Sequence, residues 1–140
     1  MNRSAGAALV LLLACGAAQA TQPEEWLQIS QSPDSRVDTL IDVANILPMY
    51  DVRLAPFKQV FAPRTERSVD YPGRWISIRF MVLSFNCVQK TGRTNHVFTN
   101  YDDGFEASEP SVLQPTEWER VLPGTEASAE MKFICAWKPK

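Results

Sequence analysis

The three cysteines of this chain constrain its fold more than any other feature, because they lie in two regions of different character. Cys15 lies in an apolar N-terminal segment with the pattern of an export signal, whereas Cys87 and Cys135 lie in the body of the chain. An exported body meets an oxidising compartment, where two cysteines form a disulfide by default. We therefore predict a Cys87–Cys135 bond. In the chain-entropy model, a disulfide that closes a loop of about 49 residues stabilises the fold by roughly 4 kcal/mol.

The first twenty residues form the predicted export signal, residues 1–20. A positive charge precedes an apolar run of about ten residues, which is too short to span a bilayer. Ala18-Gln19-Ala20 then matches a signal-peptidase site, so Thr21 is the expected first residue of the mature protein. In the alternative interpretation, the four residues ending at Cys15 form a lipobox, and Cys15 becomes a lipidated N-terminus. We favour soluble release and leave lipidation open. Both alternatives place residues 21–140 in the periplasm or on the cell surface.

The body is long enough for one hydrophobic core and too short for two. The formal net charge is −2 and no long basic cluster is present, so nucleic acid is not an expected partner. No second apolar stretch is long enough for a transmembrane helix. The 10 prolines favour a sheet-rich fold over long helices.

Turn residues divide the body into short segments with the alternating pattern of strands. The expected strands are residues 26–29, 36–42, 49–61, 75–88, 94–101 and 105–108. We also expect a short helical turn at 42–46, an exposed loop at 63–73 and turns at 90–93 and 102–104. Pro56 either interrupts the third strand or marks it as an edge.

The segment at residues 75–88 has the strongest strand pattern. From Met81 to Phe85 both of its faces are apolar, which is typical of a central strand that is covered on both sides. The hairpin signals around it indicate antiparallel pairing, because parallel strands need longer connections.

The C-terminal segment changes to a helical period. Thr125 is a suitable N-cap, and Glu126 suits the positive end of a helix dipole. An apolar stripe follows, interrupted by Glu130: Ala127, Met131, Ile134 and Cys135. Residues 132–137 also alternate as a strand would, but we favour the helix. The predicted fold is α+β: a single domain with an antiparallel sheet of about six short strands and a C-terminal helix tied to it by one disulfide.

Several short motifs follow one another in the body: Ile41-Asp42-Val43-Ala44-Asn45-Ile46, Phe85-Asn86-Cys87, Tyr101-Asp102-Asp103-Gly104, Trp118-x-x-Val121-x-Pro123-Gly124-Thr125 and Cys135. Their order resembles the surface-adhesin protein E family of small exported bacterial proteins. Thr125 stands where that family often has Ser, a change that keeps the helix cap. The resemblance implies an antiparallel sheet with a C-terminal helix and one disulfide. It also implies adhesion to host matrix and serum proteins, although a fold carries over between relatives better than a function.

The residues that could carry chemistry have structural interpretations. His96 lacks a recognisable catalytic partner, and we expect a surface or half-buried histidine. Asp102-Asp103 precede a glycine and are expected to serve a turn rather than bind a metal. Glu117 and Glu119 flank Trp118, which indicates a buried tryptophan between solvated neighbours. We therefore predict no catalytic residue, no metal site and no cofactor.

The predicted function is that of a non-enzymatic exported protein of the envelope or cell surface that binds a protein partner. Lys90 and Arg93 bracket a predicted hairpin tip and are the expected partner contacts. The alternative is a periplasmic accessory protein that binds an envelope component and has no role in host adhesion. An enzyme with an unrecognised site is the third and least favoured interpretation. The sequence leaves a homodimer open.

Overall fold

A computed structural model describes residues 23–34, 36–109 and 117–139. The predicted export signal, Cys15 and Thr21 lie outside the described residues. Within these ranges the chain forms one antiparallel sheet of eight strands and one α-helix. The elements are β1 (Trp26–Gln31), β2 (Val37–Asp42), a 3-10 turn (Val43–Asn45), β3 (Leu47–Met49), β4 (Val52–Phe61), β5 (Ile76–Asn86), β6 (Thr91–Tyr101), β7 (Glu106–Ala107), β8 (Glu119–Arg120) and α1 (Glu126–Ala136).

The strands lie in the order β1-β2-β4-β5-β6-β7, with β3 also paired to β4 and β8 also paired to β6. The strand predicted to be central, β5, has β4 on one side and β6 on the other. The predicted α+β fold is therefore confirmed, including its antiparallel pairing and its C-terminal helix. Two short strands, β3 and β8, were not predicted. Each has only two or three residues and is defined by its pairing with a longer strand.

The main core lies between α1 and one face of the sheet. Phe57 of β4 and Phe85 of β5 pack with Met131 and Ile134 of the helix. Residues on alternate positions of β5 face the other way, and there Phe80 is half-buried with Trp26 against it. The helix packs on the face of β5 that carries Phe85, and Ser84 on the opposite face is buried as well.

Two local expectations about the sheet need correction. Pro56 is neither a break nor an edge residue, because it pairs with Val82 inside β4. On its other side the partner strand changes from β2 to β3 between Phe57 and Leu54, so a residue without an N–H fits there. The loop at 63–73 is not exposed throughout, since Ser68 is buried.

Side-chain caps begin both helical segments. Asp42 accepts a hydrogen bond from the backbone N–H of Ala44 and ends β2 with the predicted short turn. Thr125 accepts from the N–H of Ser128 and begins α1, as the sequence predicts. The helix has 11 residues, and no helix in the described ranges is long and apolar enough to cross a membrane.

The predicted disulfide is confirmed. Cys87 follows the end of β5 and is bonded to Cys135 in the last turns of α1, with 5.7 Å between their Cα atoms. The bond therefore ties the helix to the end of the central strand.

Candidate functional site

The predicted contact residues Lys90 and Arg93 do not share one turn. The turn between β5 and β6 is formed by residues 87–90, and Thr91 to Arg93 already belong to β6. Lys90 is exposed and takes a left-handed conformation, with φ of 60°. Gly92 lies within β6, where a Cβ would lie 3.0 Å from ring carbons of Phe85.

Arg93 extends from the first part of β6 towards β8. Its guanidinium lies over the Trp118 ring, 4.8 Å from the ring centroid. Trp118 is 39% exposed, so the predicted burial of this tryptophan is wrong. Glu119 pairs with Gly92 across the strands, and both Glu117 and Glu119 are exposed.

Two turns lie side by side at one end of the sheet, and we call this surface the double-turn end. It consists of residues 50–51, between β3 and β4, and residues 87–90, between β5 and β6. The N–H of Cys87 donates to the carbonyl oxygen of Asp51 at 2.8 Å, which joins the two turns. Because Cys87 is also bonded to Cys135, this end of the sheet is anchored to α1.

Large apolar side chains are exposed at and beside the double-turn end. Tyr50 is 101% exposed and Val88 is 67% exposed. Leu47 and Met49, in the adjoining strand β3, are exposed as well. Single exposed apolar residues are common on proteins, but a group of them at one place is typical of an interaction surface.

Tyr50 has a strained backbone as well as an exposed ring. Its φ is 55°, in the left-handed region that two-residue hairpin loops usually give to Gly, Asn or Asp. The guanidinium of Arg53 donates to the Tyr50 carbonyl oxygen at 2.8 Å and supports this turn. A bulky residue in this conformation is a true outlier, and such strain is often associated with function.

The other predicted candidates occupy structural positions. His96 is exposed on β6, opposite Val82, beside a broad shallow groove. Asp103 accepts hydrogen bonds from the Phe105 N–H and from Arg74. The hydrogen bond from the Phe105 N–H, helped by the Arg74 guanidinium, outweighs desolvation and holds the pKa of Asp103 below its ordinary value. Asp103 therefore serves its turn, as predicted.

Glu109 lies at the centre of a buried polar cluster that the sequence did not reveal. Its carboxylate accepts hydrogen bonds from Ser68, from Arg79 at 3.0 Å and from Thr99 at 3.1 Å. Burial disfavours its charge, but the hydrogen bonds from Ser68 and Arg79 outweigh that cost and hold the pKa of Glu109 below its ordinary value. All of its donors belong to the protein, so the cluster fastens the loop before β5 and the segment after β7 to the sheet.

Sequence reasoning missed Tyr50 and Glu109 for different reasons. The sequence did contain a signal for Tyr50. Tyr50-Asp51 lies between two apolar segments, and two residues in such a position can form a hairpin loop. Nothing near Glu109 in the sequence indicates burial, because its partners lie 10 to 41 residues away. In the described ranges, no group of three or more His, Cys, Asp and Glu side chains is placed to hold a metal ion.

Comparisons with protein-family models, with curated proteins and with solved structures found no match to this chain. The functional argument therefore rests on the geometry of the chain's own residues, and the double-turn end is the candidate site that this geometry favours.

Proposed function

We propose that the protein is a non-enzymatic exported binding protein of the bacterial envelope or cell surface, and that it contacts a protein partner through the double-turn end. The observation that carries the proposal is the full exposure of Tyr50 in a strained backbone conformation, on a turn that is hydrogen-bonded to the turn with the exposed Val88. The resemblance to the surface-adhesin protein E family suggests that the partner is an extracellular-matrix or serum protein.

The chemistry of this end suits a protein contact. Tyrosine is enriched among the residues that contribute most to binding, and neighbouring apolar side chains can exclude water around it. The hydrogen bond from the Cys87 N–H to the Asp51 carbonyl oxygen joins the two turns, and the disulfide from Cys87 to Cys135 ties this end of the sheet to α1. A surface that is ordered before binding loses less conformational entropy when a partner docks. Lys90, at the edge of the patch, would attract an acidic partner and raise the association rate.

The central test is the double variant Tyr50→Ser/Val88→Ser. We expect its affinity for a partner found in a panel of matrix and serum proteins to fall roughly tenfold or more. Surface plasmon resonance measures this, and a thermal melt checks that the variant is folded. The matched control is Val69→Ser, which removes a 78% exposed valine from the loop at the opposite end of β4 and β5. Equal affinity of wild type and double variant would exclude the double-turn end.

The basic residues are tested separately. We expect Lys90→Ala to slow association more than it accelerates dissociation, because exposed charges act mainly on encounter. The double variant Lys90→Ala/Arg93→Ala should slow it further if Arg93 contributes its charge. Arg93 also stacks over Trp118. A change in thermal stability that is seen in the double variant but not in Lys90→Ala would therefore identify a structural role for Arg93.

The location of the domain separates the favoured function from the periplasmic alternative. Protease added to intact cells should cleave a surface domain and spare a periplasmic one. Mass spectrometry of the same material determines whether the mature chain begins at Thr21 or at a lipidated Cys15. Protection from protease, with no binding to any matrix or serum protein, would favour the accessory role on an envelope component.

A further inference from the structure

A cavity of about 300 Å³ lies between α1 and the strands β5 and β6, and residues 119–122 close it on one side. Its walls are largely apolar, with Leu83 and Phe85 from β5 and Val121 and Leu122 from the closing segment. This volume is at the lower end of the range for small-molecule sites, which are typically apolar clefts with a few polar groups.

One buried carboxyl group lines this cavity, that of Glu130 on α1. Glu130 is only 6% exposed, and no hydrogen bond or ion pair joins it to another residue in the described ranges. The carboxyl oxygens of Glu130 keep some contact with solvent, because they are not among the fully buried atoms that lack a partner in the described ranges. A ligand that enters the cavity can therefore reach a carboxyl group that no other described residue pairs with.

The protonation of Glu130 is suited to such a partner. Burial, and secondarily the negative charge of Glu126 one turn earlier, raise the pKa of Glu130 to about 7. The group is therefore close to balance between its acid and its carboxylate at neutral pH. A cation that enters the cavity would favour the carboxylate.

The charged groups around Glu130 agree with a cationic ligand. Glu126 precedes it on α1, Glu119 and Arg120 line the cavity from β8, and Arg93 lines it from β6. On the other side of Glu130, the adjoining residues of β1 are uncharged: Gln28, Ile29 and Ser30. The two arginines are exposed, and water screens exposed charges. The buried negative charge of Glu130 therefore dominates inside the cavity.

We propose that this cavity binds a small apolar amine, with its ammonium group paired to Glu130 and its apolar body against Leu83, Phe85 and Val121. The proposal goes beyond the binding function proposed above and uses no residue of the double-turn end. Its success or failure is therefore independent of that function.

The test uses the mature protein with its disulfide intact and three probes of similar shape: phenethylamine, phenethyl alcohol and phenylpropionate. Amide chemical shifts are followed by NMR during each titration. We expect saturable changes at Gly92, Thr94 and Ala127 with the amine, much weaker ones with the alcohol and none with the acid. The affinity for the amine should fall between about pH 8 and about pH 5.5, because Glu130 takes up a proton over this range.

Two variants and a matched control locate the site. Glu130→Gln should lower the affinity for the amine roughly 10- to 100-fold, as expected for loss of a hydrogen bond to a charged group. Ala127→Phe should fill the cavity and abolish binding without disturbing the core, because Ala127 is exposed at the cavity wall. Ala136→Phe places the same ring at an exposed position of α1 away from the cavity and should bind like wild type.

Three results would overturn the proposal. The first is the absence of saturable shifts with all three probes at their highest soluble concentrations. The second is equal binding of the amine and the acid. The third is unchanged affinity of the folded Glu130→Gln variant for the amine.

Discussion

Replacing Glu130 with Gln tests the electrostatics of the helix–sheet interface directly. The substitution keeps the shape of the side chain and removes its ability to ionise. Glu130 is buried against the sheet and carries a pKa raised to about 7, first by burial and then by the charge of Glu126. The wild-type protein therefore holds a proton on this group at a pH where the unfolded chain has released it.

The size of the effect follows from that difference. A pKa that rises from 4.5 to about 7 on folding corresponds to roughly 3 kcal/mol, at about 1.4 kcal/mol for each pH unit. Because the folded state binds the proton more tightly, the free energy of unfolding falls as the pH rises from about 4.5 to about 7, and it stays lower above that range. The Glu130→Gln variant has no carboxyl group at this position, so its free energy of unfolding does not fall for this reason as the pH rises. We expect the variant to exceed wild type in stability by about 3 kcal/mol near pH 8.5 and by less than about 1 kcal/mol near pH 5.

Urea unfolding of the oxidised protein at the two pH values measures the difference. The control is Glu119→Gln, which removes an exposed carboxylate from the same cavity and should leave the pH profile of wild type unchanged. Our reasoning is refuted if Glu130→Gln is less stable than wild type near pH 8.5, or if both proteins lose the same stability between the two pH values.

Two further predictions concern stability. Replacing Cys87 and Cys135 with Ser should lower the free energy of unfolding by about 4 kcal/mol, since their bond spans a sequence separation of 48 residues; denaturant midpoints with and without reductant measure this. Arg79→Met should cost roughly 3 kcal/mol or more in the same assay, because it leaves the carboxylate of Glu109 buried without its cation.

The Arg79→Met prediction has a matched control. Arg36→Met removes one member of an exposed ion pair with Asp34 and should change stability by less than about 1 kcal/mol. A cost for Arg79→Met no larger than that of Arg36→Met would show that the Glu109 cluster does not stabilise the fold. Two free thiols in oxidised protein would contradict the disulfide prediction.

Local patterns predicted much of the fold. Alternation and apolar character identified β5 as the central strand, and it lies between β4 and β6. Thr125 begins the helix as its side chain predicts. These features depend on residues close together in the chain, whose conformational preferences act before any tertiary contact forms.

The candidate site was less predictable. The sequence placed the turn of this hairpin at residues 90–93, whereas the structure places it at residues 87–90. Cys87, the first residue of that turn, donates its N–H to Asp51 of the neighbouring turn, and Gly92 is needed within β6 where the ring of Phe85 packs against its backbone. Contact between distant segments therefore overrode the local preference.

The sequence by itself determined the fold class, the central strand, the helix and its cap, and the pairing of the two body cysteines. The periodicity of apolar residues predicted the strands and the helix, the capping residue predicted the helix start, and the presence of only two cysteines in the body predicted their pairing. Only the tertiary structure decided that Tyr50 is exposed beside Val88, that Glu109 is buried with Arg79, and that Glu130 lines an apolar cavity. Burial and charge pairing depend on which distant segments meet. The residues next to a glutamate in the sequence do not show whether its side chain will be exposed to water, paired with a cation or buried under a helix.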